Sequence, residues 1–329
     1  MRRRDFIRST GMAAAAMALG RPLRASHPPT GAITIRQTAT DRFELLFAPP
    51  TPRPVRVLQI TDTHFGNPKP EYREKDQRTC RTITGLIETH RPDLIVHTGD
   101  FVNNDNKDCT WDGLDFMNAL PVPWCHTLGN HDVDPENGSL PVEEYRKRMR
   151  NAAFGYFDRN GRRYYAYRLD LIPKGQSKPA YGIFCFDSGY AKNAKHVSDE
   201  QLEWFAGQMA SDRRANITCP LLAMLHIPTV EFKRLRESGK YTGRADEEVC
   251  CETDTGRTFE AFKKSRRIRA VFCGHDHVND FCGMWDGIEL VYGRWTGWGG
   301  YGEGERGGRL IEIDPATGAY RHRIVYPRG

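Results

Sequence analysis

The sequence predicts an α/β fold in which two packed β-sheets carry helices on their outer faces. Three observations predict it. Short apolar runs that end in polar residues alternate with helical patterns through the first half of the chain. Hairpin-like strand pairs dominate the second half, and a chain of 329 residues with 39% hydrophobic content can bury a full core.

A short opening hairpin is followed by Pro49-Pro50-Thr51-Pro52-Arg53-Pro54, which can form neither helix nor central strand and marks a loop. The catalytic part of the fold is therefore expected from Val55. Val55 to Ile60 reads as a buried strand, Tyr72 to His90 as an amphipathic helix stopped by Arg91-Pro92, and Leu94 to His97 as the next strand. Trp111 to Leu120 is predicted helical and Val122 to Leu128 a third strand. Arg163 to Leu171 and Tyr181 to Asp187 read as paired strands around a loop rich in Gly, Pro and Ser. Ser198-Asp199-Glu200-Gln201 is a capping box that opens a helix running to about Ala210. Strands then follow at Leu221 to Leu225, Ile268 to Cys273, Ile288 to Tyr292, Leu310 to Ile313 and Tyr320 to Val325. One domain over residues 26–329 accommodates them all.

Residues 1–25 read as an export address. A basic stretch precedes the small, apolar run from Gly11 to Gly20, which is too short to span a bilayer. Arg3-Arg4-Asp5-Phe6-Ile7 resembles the twin-arginine motif, and Leu23-Arg24-Ala25 offers a cleavage site. The expected partner is the twin-arginine export machinery and the expected location is periplasmic or secreted. No cysteine follows the apolar run, which argues against a stable membrane anchor. Six arginines against Asp5 give this segment +5 of the formal +6, leaving +1 for the rest. So neutral a body gives no case for nucleic-acid binding. Nine cysteines form no paired C-x-x-C spacing, and an odd number leaves at least one unpaired in a monomer.

Five polar clusters follow strand-like runs, where open α/β sheets place functional loops. They are Asp62-Thr63-His64, Gly99-Asp100, Gly129-Asn130-His131-Asp132, His226 and Gly274-His275-Asp276-His277. At the end of an extended segment, residues i and i+2 point the same way, so Asp62 and His64 are expected to face one crevice, as are His275 and His277. Two carboxylates, four imidazoles and one amide suit Mn, Fe or Zn. Two divalent ions, less two carboxylates and one hydroxide, leave a charge of about +1 toward the crevice, which favours a small anionic phosphoester.

The order D-x-H, G-D, G-N-H-D, H, G-H-x-H resembles the calcineurin-like metallophosphoesterase superfamily over Val55 to His277, about two thirds of the chain. The resemblance implies a four-layer sandwich of two mixed sheets flanked by helices, with a dinuclear site at the sheet ends. It implies one ion on Asp62, His64, Asp100 and His277, and another on Asp100, Asn130, His226 and His275. Asp100 would bridge, a metal-bridging hydroxide would attack the phosphorus of a phosphomonoester, and His131, outside the metal shell, would protonate the leaving alkoxide or steady the transition state. A narrower resemblance, from Phe272 to Gly283 and from Thr296 to Gly302, is to the purple-acid-phosphatase-like branch. True purple enzymes carry a Tyr ligand three residues after the bridging Asp, where this chain has Asn103, and lack the His found here at 64. The resemblance therefore implies a colourless enzyme.

Asn103 and Asn104 lie close enough after Asp100 to touch substrate, and the Gly-rich stretch from Gly293 to Gly308, with Arg294, Trp295 and Trp298, is expected to rim the pocket and contact the ester group. Asp132 and Asp276 are expected to orient imidazoles, and His97 and His126 to sit inside strands. The same site is compatible with a phosphodiesterase acting on a cyclic nucleotide or phospholipid head group, and with a non-catalytic phosphate-binding protein.

Overall fold

Residues 33–48, 53–103, 110–133, 140–189, 195–253 and 256–328 are described by a computed structural model. The export segment and Asn104 lie outside the described residues.

In chain order the elements are β1 (Ile33–Ala39), β2 (Arg42–Phe47), β3 (Val55–Ile60), α1 (Pro70–His90), β4 (Leu94–Thr98), α2 (Asp112–Asn118), β5 (Trp124–Thr127) and α3 (Asn130–Val133). Then come α4 (Val142–Arg148), β6 (Ala152–Ala153), β7 (Phe157–Arg159), β8 (Arg162–Tyr164), β9 (Tyr167–Pro173), β10 (Tyr181–Cys185), α5 (Asp199–Arg214) and β11 (Leu221–Met224). The last are α6 (Val230–Ser238), α7 (Arg257–Ser265), β12 (Ile268–Cys273), β13 (Cys282–Trp285), β14 (Ile288–Tyr292), β15 (Gly308–Ile313) and β16 (Tyr320–Val325).

Two mixed sheets result. One runs β1-β2-β9-β10-β11-β12-β14-β13 and the other β16-β15-β3-β4-β5-β6. The inner faces share one apolar core, in which Val57 and Ile95 of one sheet join Leu169 and Phe272 of the other. A second core packs the outer face of the larger sheet on α5 and α7, through Phe184, Phe205, Phe259 and Phe262. Ile83 and Leu86 of α1 are buried on the smaller sheet. This is the sandwich flanked by helices that the sequence predicts.

Local chemistry sets the helix ends. Pro70 opens α1, whose last N–H partner is Arg91 in the left-handed region, donating to Ile87 O at 2.8 Å before Pro92 stops the chain. Ser198 caps α5 by accepting from Gln201 N.

The opening hairpin is part of the sandwich: β2 lies parallel to β9 in the large sheet and buries Phe43, Leu45 and Phe47. Two expectations need correction. The segment expected as one strand from Arg163 splits. Tyr164 stacks on Phe157 and Phe157 on Trp204, holding β8 in its own hairpin with β7, whereas β9 pairs with β2 and β10. Helices α4, α6 and α7, at seven to nine residues, went unpredicted because each spans barely two turns of the pattern.

What this arrangement positions is one edge. Strands β3, β4 and β5 are parallel neighbours in one sheet, and β11 and β12 in the other. Each polar cluster follows the C-terminal end of one of these five strands.

Candidate metal centre

Asp62, His64, Asp100 and His275 all adopt positive φ, at 54°, 48°, 53° and 80°. The loops after the strands are thus turned into the left-handed region rather than continuing extended, so the i, i+2 argument reached the right pairs by the wrong geometry. Such backbones cost about 1–3 kcal/mol each and persist where surroundings over-determine them. Here they do: Asp62 N donates to Gly99 O at 3.1 Å, and His64 N to Asp100 O at 3.0 Å, lacing the first loop to the second.

The side chains gather in two halves that share Asp100. In one, His64 Nε2 lies 3.2 Å from His277 Nε2, and His277 Nε2 lies 3.4 Å from Asp62 Oδ1. In the other, His275 Nδ1 lies 3.3 Å from His226 Nε2, which is 3.1 Å from Asp100 Oδ2. The same Asp100 oxygen is 3.8 Å from His64 Nε2 and 3.9 Å from His131 Nε2. Asn130 Oδ1 is buried without a partner. The fold therefore brings Asp62, His64, Asp100, His226, His275 and His277 together, with His131 at the rim, its side chain 31% exposed. Gly129 makes the third loop possible, since a Cβ there would lie 2.2 Å from Asp100 N.

Backbone acceptors fix the rings. His226 Nδ1 faces Thr98 O at 2.8 Å and His277 Nδ1 faces Tyr301 O at 3.0 Å, so each presents Nε2 to the cluster. Asp132 accepts from the backbone N–H groups of Phe101, Val102 and Gly129 and lies 3.3 Å from His126 Nε2. His97 and His126 are buried within β4 and β5. Among the described residues Asp276 orients no imidazole; it accepts from Tyr292 OH at 2.5 Å and Cys250 N at 3.1 Å.

A crevice of about 560 Å³ opens over the cluster. Asn103 lines it, with Nδ2 donating to Gly299 O at 3.4 Å. Arg294 does not: its guanidinium is buried against Asp280, 2.6 Å away, and lies 3.9 Å from the Trp295 ring, so its assignment to substrate is corrected. From the Gly-rich stretch it is Gly299, Gly300 and Tyr301 that line the crevice; Tyr72, Lys75 and Glu247 line it too and were missed. Tyr72 and Lys75 read as ordinary helix-surface residues, and nothing in the sequence marks Glu247.

The profile of the calcineurin-like phosphoesterase family matches residues 55–279. The chain belongs to this family. Among curated proteins it is 27% identical over 305 residues to "Probable inactive purple acid phosphatase 28" of Arabidopsis thaliana, covering 80% of this chain and 76% of that one. It is 22% identical to "Phosphatase DCR2" of Saccharomyces cerevisiae, covering 77% of this chain and 47% of that one. Among solved structures, a dimetal phosphatase from Danio rerio aligns with a TM-score of 0.45 at 13% identity, covering 83% of this chain and 93% of that one.

Electrostatics decide whether this family member's donor set fits cations. Burial pushes His64 and His275 down to about 3, and the neighbouring imidazoles push the same way. For His226 burial also lowers proton affinity, but Asp100 and Asp62 outweigh it and hold the ring at about 10. His277 is likewise raised, by Asp62 against burial. Asp62 and Asp100 fall below the usual carboxylate range, because His277 and His226 outweigh burial. Without cations, then, His226 keeps a proton at neutral pH, and in the other half His277 is the ring whose proton affinity is raised. Ring nitrogens 3.2–3.3 Å apart are bridged by a shared proton or by a cation, and the orphaned Asn130 oxygen needs an electrophile. Two hard-to-borderline divalent ions satisfy both demands.

Proposed function

We propose that this phosphoesterase hydrolyses a small phosphomonoester using two divalent ions, Mn, Fe or Zn. Asp62, His64, Asp100 and His277 would hold one ion, and Asp100, Asn130, His226 and His275 the other. When bound, such a pair lowers the pKa of water and neutralises charge on phosphoryl oxygens. The observation that carries the reading is Asp100 Oδ2 lying within 3.1–3.9 Å of imidazoles from both halves and of His131.

The chain's own residues supply the rest. His131 N donates to Asp100 Oδ1 at 2.9 Å, which anchors the residue while its partly exposed ring faces the crevice. That ring is poised to protonate a leaving alkoxide. Lys75, held 4.2 Å from the Tyr72 ring at the crevice wall, adds a cation toward an anionic ester. Asn103, fixed by its bond to Gly299 O, offers a further polar contact to substrate.

The test is steady-state phosphate release from a nitrophenyl monoester beside its bis-ester, by Mn-loaded protein and its His131→Ala variant. Monoester turnover that falls roughly 10²–10⁴-fold in the variant at constant metal content is expected. Faster turnover of the bis-ester would transfer the assignment to a phosphodiesterase. Metal-loaded protein without turnover on either ester would leave a phosphate-binding protein.

We also propose export through the twin-arginine machinery, motivated by Arg3-Arg4 ahead of the apolar run. No helix among the described residues is long and apolar enough to cross a membrane. Lysine at both Arg3 and Arg4 should abolish periplasmic yield; an undiminished yield refutes this route.

A further inference from the structure

The Gly-rich strap between β14 and β15, residues 297–304, presses on one half of the cluster. A Cβ on Gly297 would lie 2.3 Å from Asp62 O, one on Gly299 2.3 Å from His64 O, and one on Gly300 2.2 Å from His277 Cε1. Bare main chain is all that fits. Tyr301 extends the same contact. Its carbonyl faces His277 Nδ1 at 3.0 Å, and its ring stacks on the His277 imidazole with centroids 4.0 Å apart and planes within 11°. Within the ligand set the strap's closest contacts thus fall on Asp62, His64 and His277, not on the half built from Asn130, His226 and His275.

Trp298 ties the strap to α1, its N and Nε1 donating to Thr79 and Thr82 Oγ1 at 3.0 and 3.1 Å, Tyr301 OH donates to Glu247 at 2.8 Å, and Arg306 gathers the strap's carbonyls. Its Nε donates to Gly297 O at 2.8 Å, Nη1 to Gly304 O at 2.9 Å and Nη2 to Gly302 O at 2.8 Å. The guanidinium sits 4.8 Å from the Trp295 ring and 4.6 Å from the Trp298 ring, and is 5% exposed. Among the described residues no carboxylate pairs with it, unlike Arg294 with Asp280. A buried, uncompensated guanidinium is costly unless its donors are used, and these are used on three carbonyls of one loop. Burial and the neighbouring Arg294 and Arg78 lower its proton affinity to about 10, which still leaves it charged at neutral pH.

We infer that Arg306 is a positioning residue of the metal centre: by clamping the strap onto Asp62, His64 and His277, it sets the affinity of that half for a divalent ion without acting on the other. The inference rests on the two-ion reading given above. The mechanism is orientation. The Tyr301 carbonyl keeps the proton of His277 on Nδ1 and Nε2 toward the cluster, and outer partners of this kind are worth 10–100-fold in metal affinity.

The full chain is titrated with Co²⁺, followed by visible absorption, as wild type, Arg306→Met and Arg306→Lys. In Arg306→Met one of two binding steps should weaken roughly 10–100-fold while the other stays within about twofold. Arg306→Lys should recover part of the loss, since an ammonium donates to the carbonyls but lacks the planar fork that spans three. Amide exchange by mass spectrometry should quicken over residues 297–304 and stay unchanged over 129–132. Equal weakening of both steps, or of neither, overturns the inference. If wild type takes up fewer than two Co²⁺, the two-ion reading fails, and the clamp is judged by exchange alone; unchanged exchange at 297–304 in either variant then overturns it.

Discussion

Replacing Gly129 with alanine adds one methyl group at the most crowded point of the centre. The new carbon would lie 2.2 Å from Asp100 N and 2.3 Å from Asp100 Oδ1, more than 1 Å inside ordinary van der Waals contact. Neither atom can retreat freely. The Asp100 loop is laced to the first loop by Asp62 N to Gly99 O and His64 N to Asp100 O, and Asp100 Oδ1 already accepts from His131 N. Relief must come from a backbone shift, which in a packed interior costs about 1–3 kcal/mol. At about 1.5–2 °C per kcal/mol for a domain of this length, Tm should fall by roughly 2–6 °C. Because Asp100 faces both halves, metal uptake should weaken in both binding steps, unlike the one-sided loss expected at Arg306. Gly207 is the control: it is an exposed position in α5 with nothing within 4 Å of an added Cβ, so alanine there should stabilise by about 0.5–1 kcal/mol. Differential scanning calorimetry with and without Mn²⁺ reads both variants. A Gly129→Ala protein with wild-type Tm and wild-type metal uptake would refute the steric reasoning.

Other outcomes follow from buried charge. Arg168 is fully buried and binds Asp170 at 2.7 Å and Asp212 at 2.8 Å, yet Asp170 keeps Arg42 and Asp212 keeps Arg267 if it is lost. Arg168→Met should therefore cost about 3 kcal/mol, the low end for breaking a buried pair, in urea unfolding; a cost near zero would contradict the network. Burial, with help from Asp112 and against the Gly66 N–H bond, pushes the Asp76 carboxyl up to about 7. Between about pH 4 and pH 7 the unfolded chain ionises this group and the folded chain does not, so stability falls as pH rises through that window. Asp76→Asn should remove the slope and stabilise at pH 8, and an unchanged slope would sink the claim. With His226 held at about 10, cation uptake at neutral pH must displace its proton. Metal affinity should rise with pH through neutrality, and the calorimetric binding heat should depend on the buffer's ionisation enthalpy; identical heats in two such buffers would show no proton release.

The metal-ligand pattern was legible because chemistry and topology coincide in it. Each candidate follows an apolar run, and parallel strands deliver such positions to one sheet edge. Asp100 and His226 are adjacent in space although 126 positions separate them. The backbone that aims them was not legible, since αL conformations at Asp62, His64, Asp100 and His275 arise from bonds between loops rather than from local sequence. Arg294 shows the opposite failure: a cation in a Gly-rich stretch near a phosphate site invites a substrate role, and nothing local reveals that Asp280 claims it. Where the opening hairpin docks was not legible, because its partner, β9, lies more than 120 residues away in sequence. Among the described cysteines all are free, and Cys80, Cys125, Cys185, Cys219 and Cys273 are buried, so they pack as small apolar side chains.

Anomalous diffraction from crystals of the Mn-loaded chain tests the central claim most directly. Two peaks are predicted, one enclosed by Asp62, His64 and His277 and the other by Asn130, His226 and His275, with the Asp100 carboxylate between them. A single peak, none, or density at another ligand-like group such as Cys282, Glu289 and His322 would contradict the account.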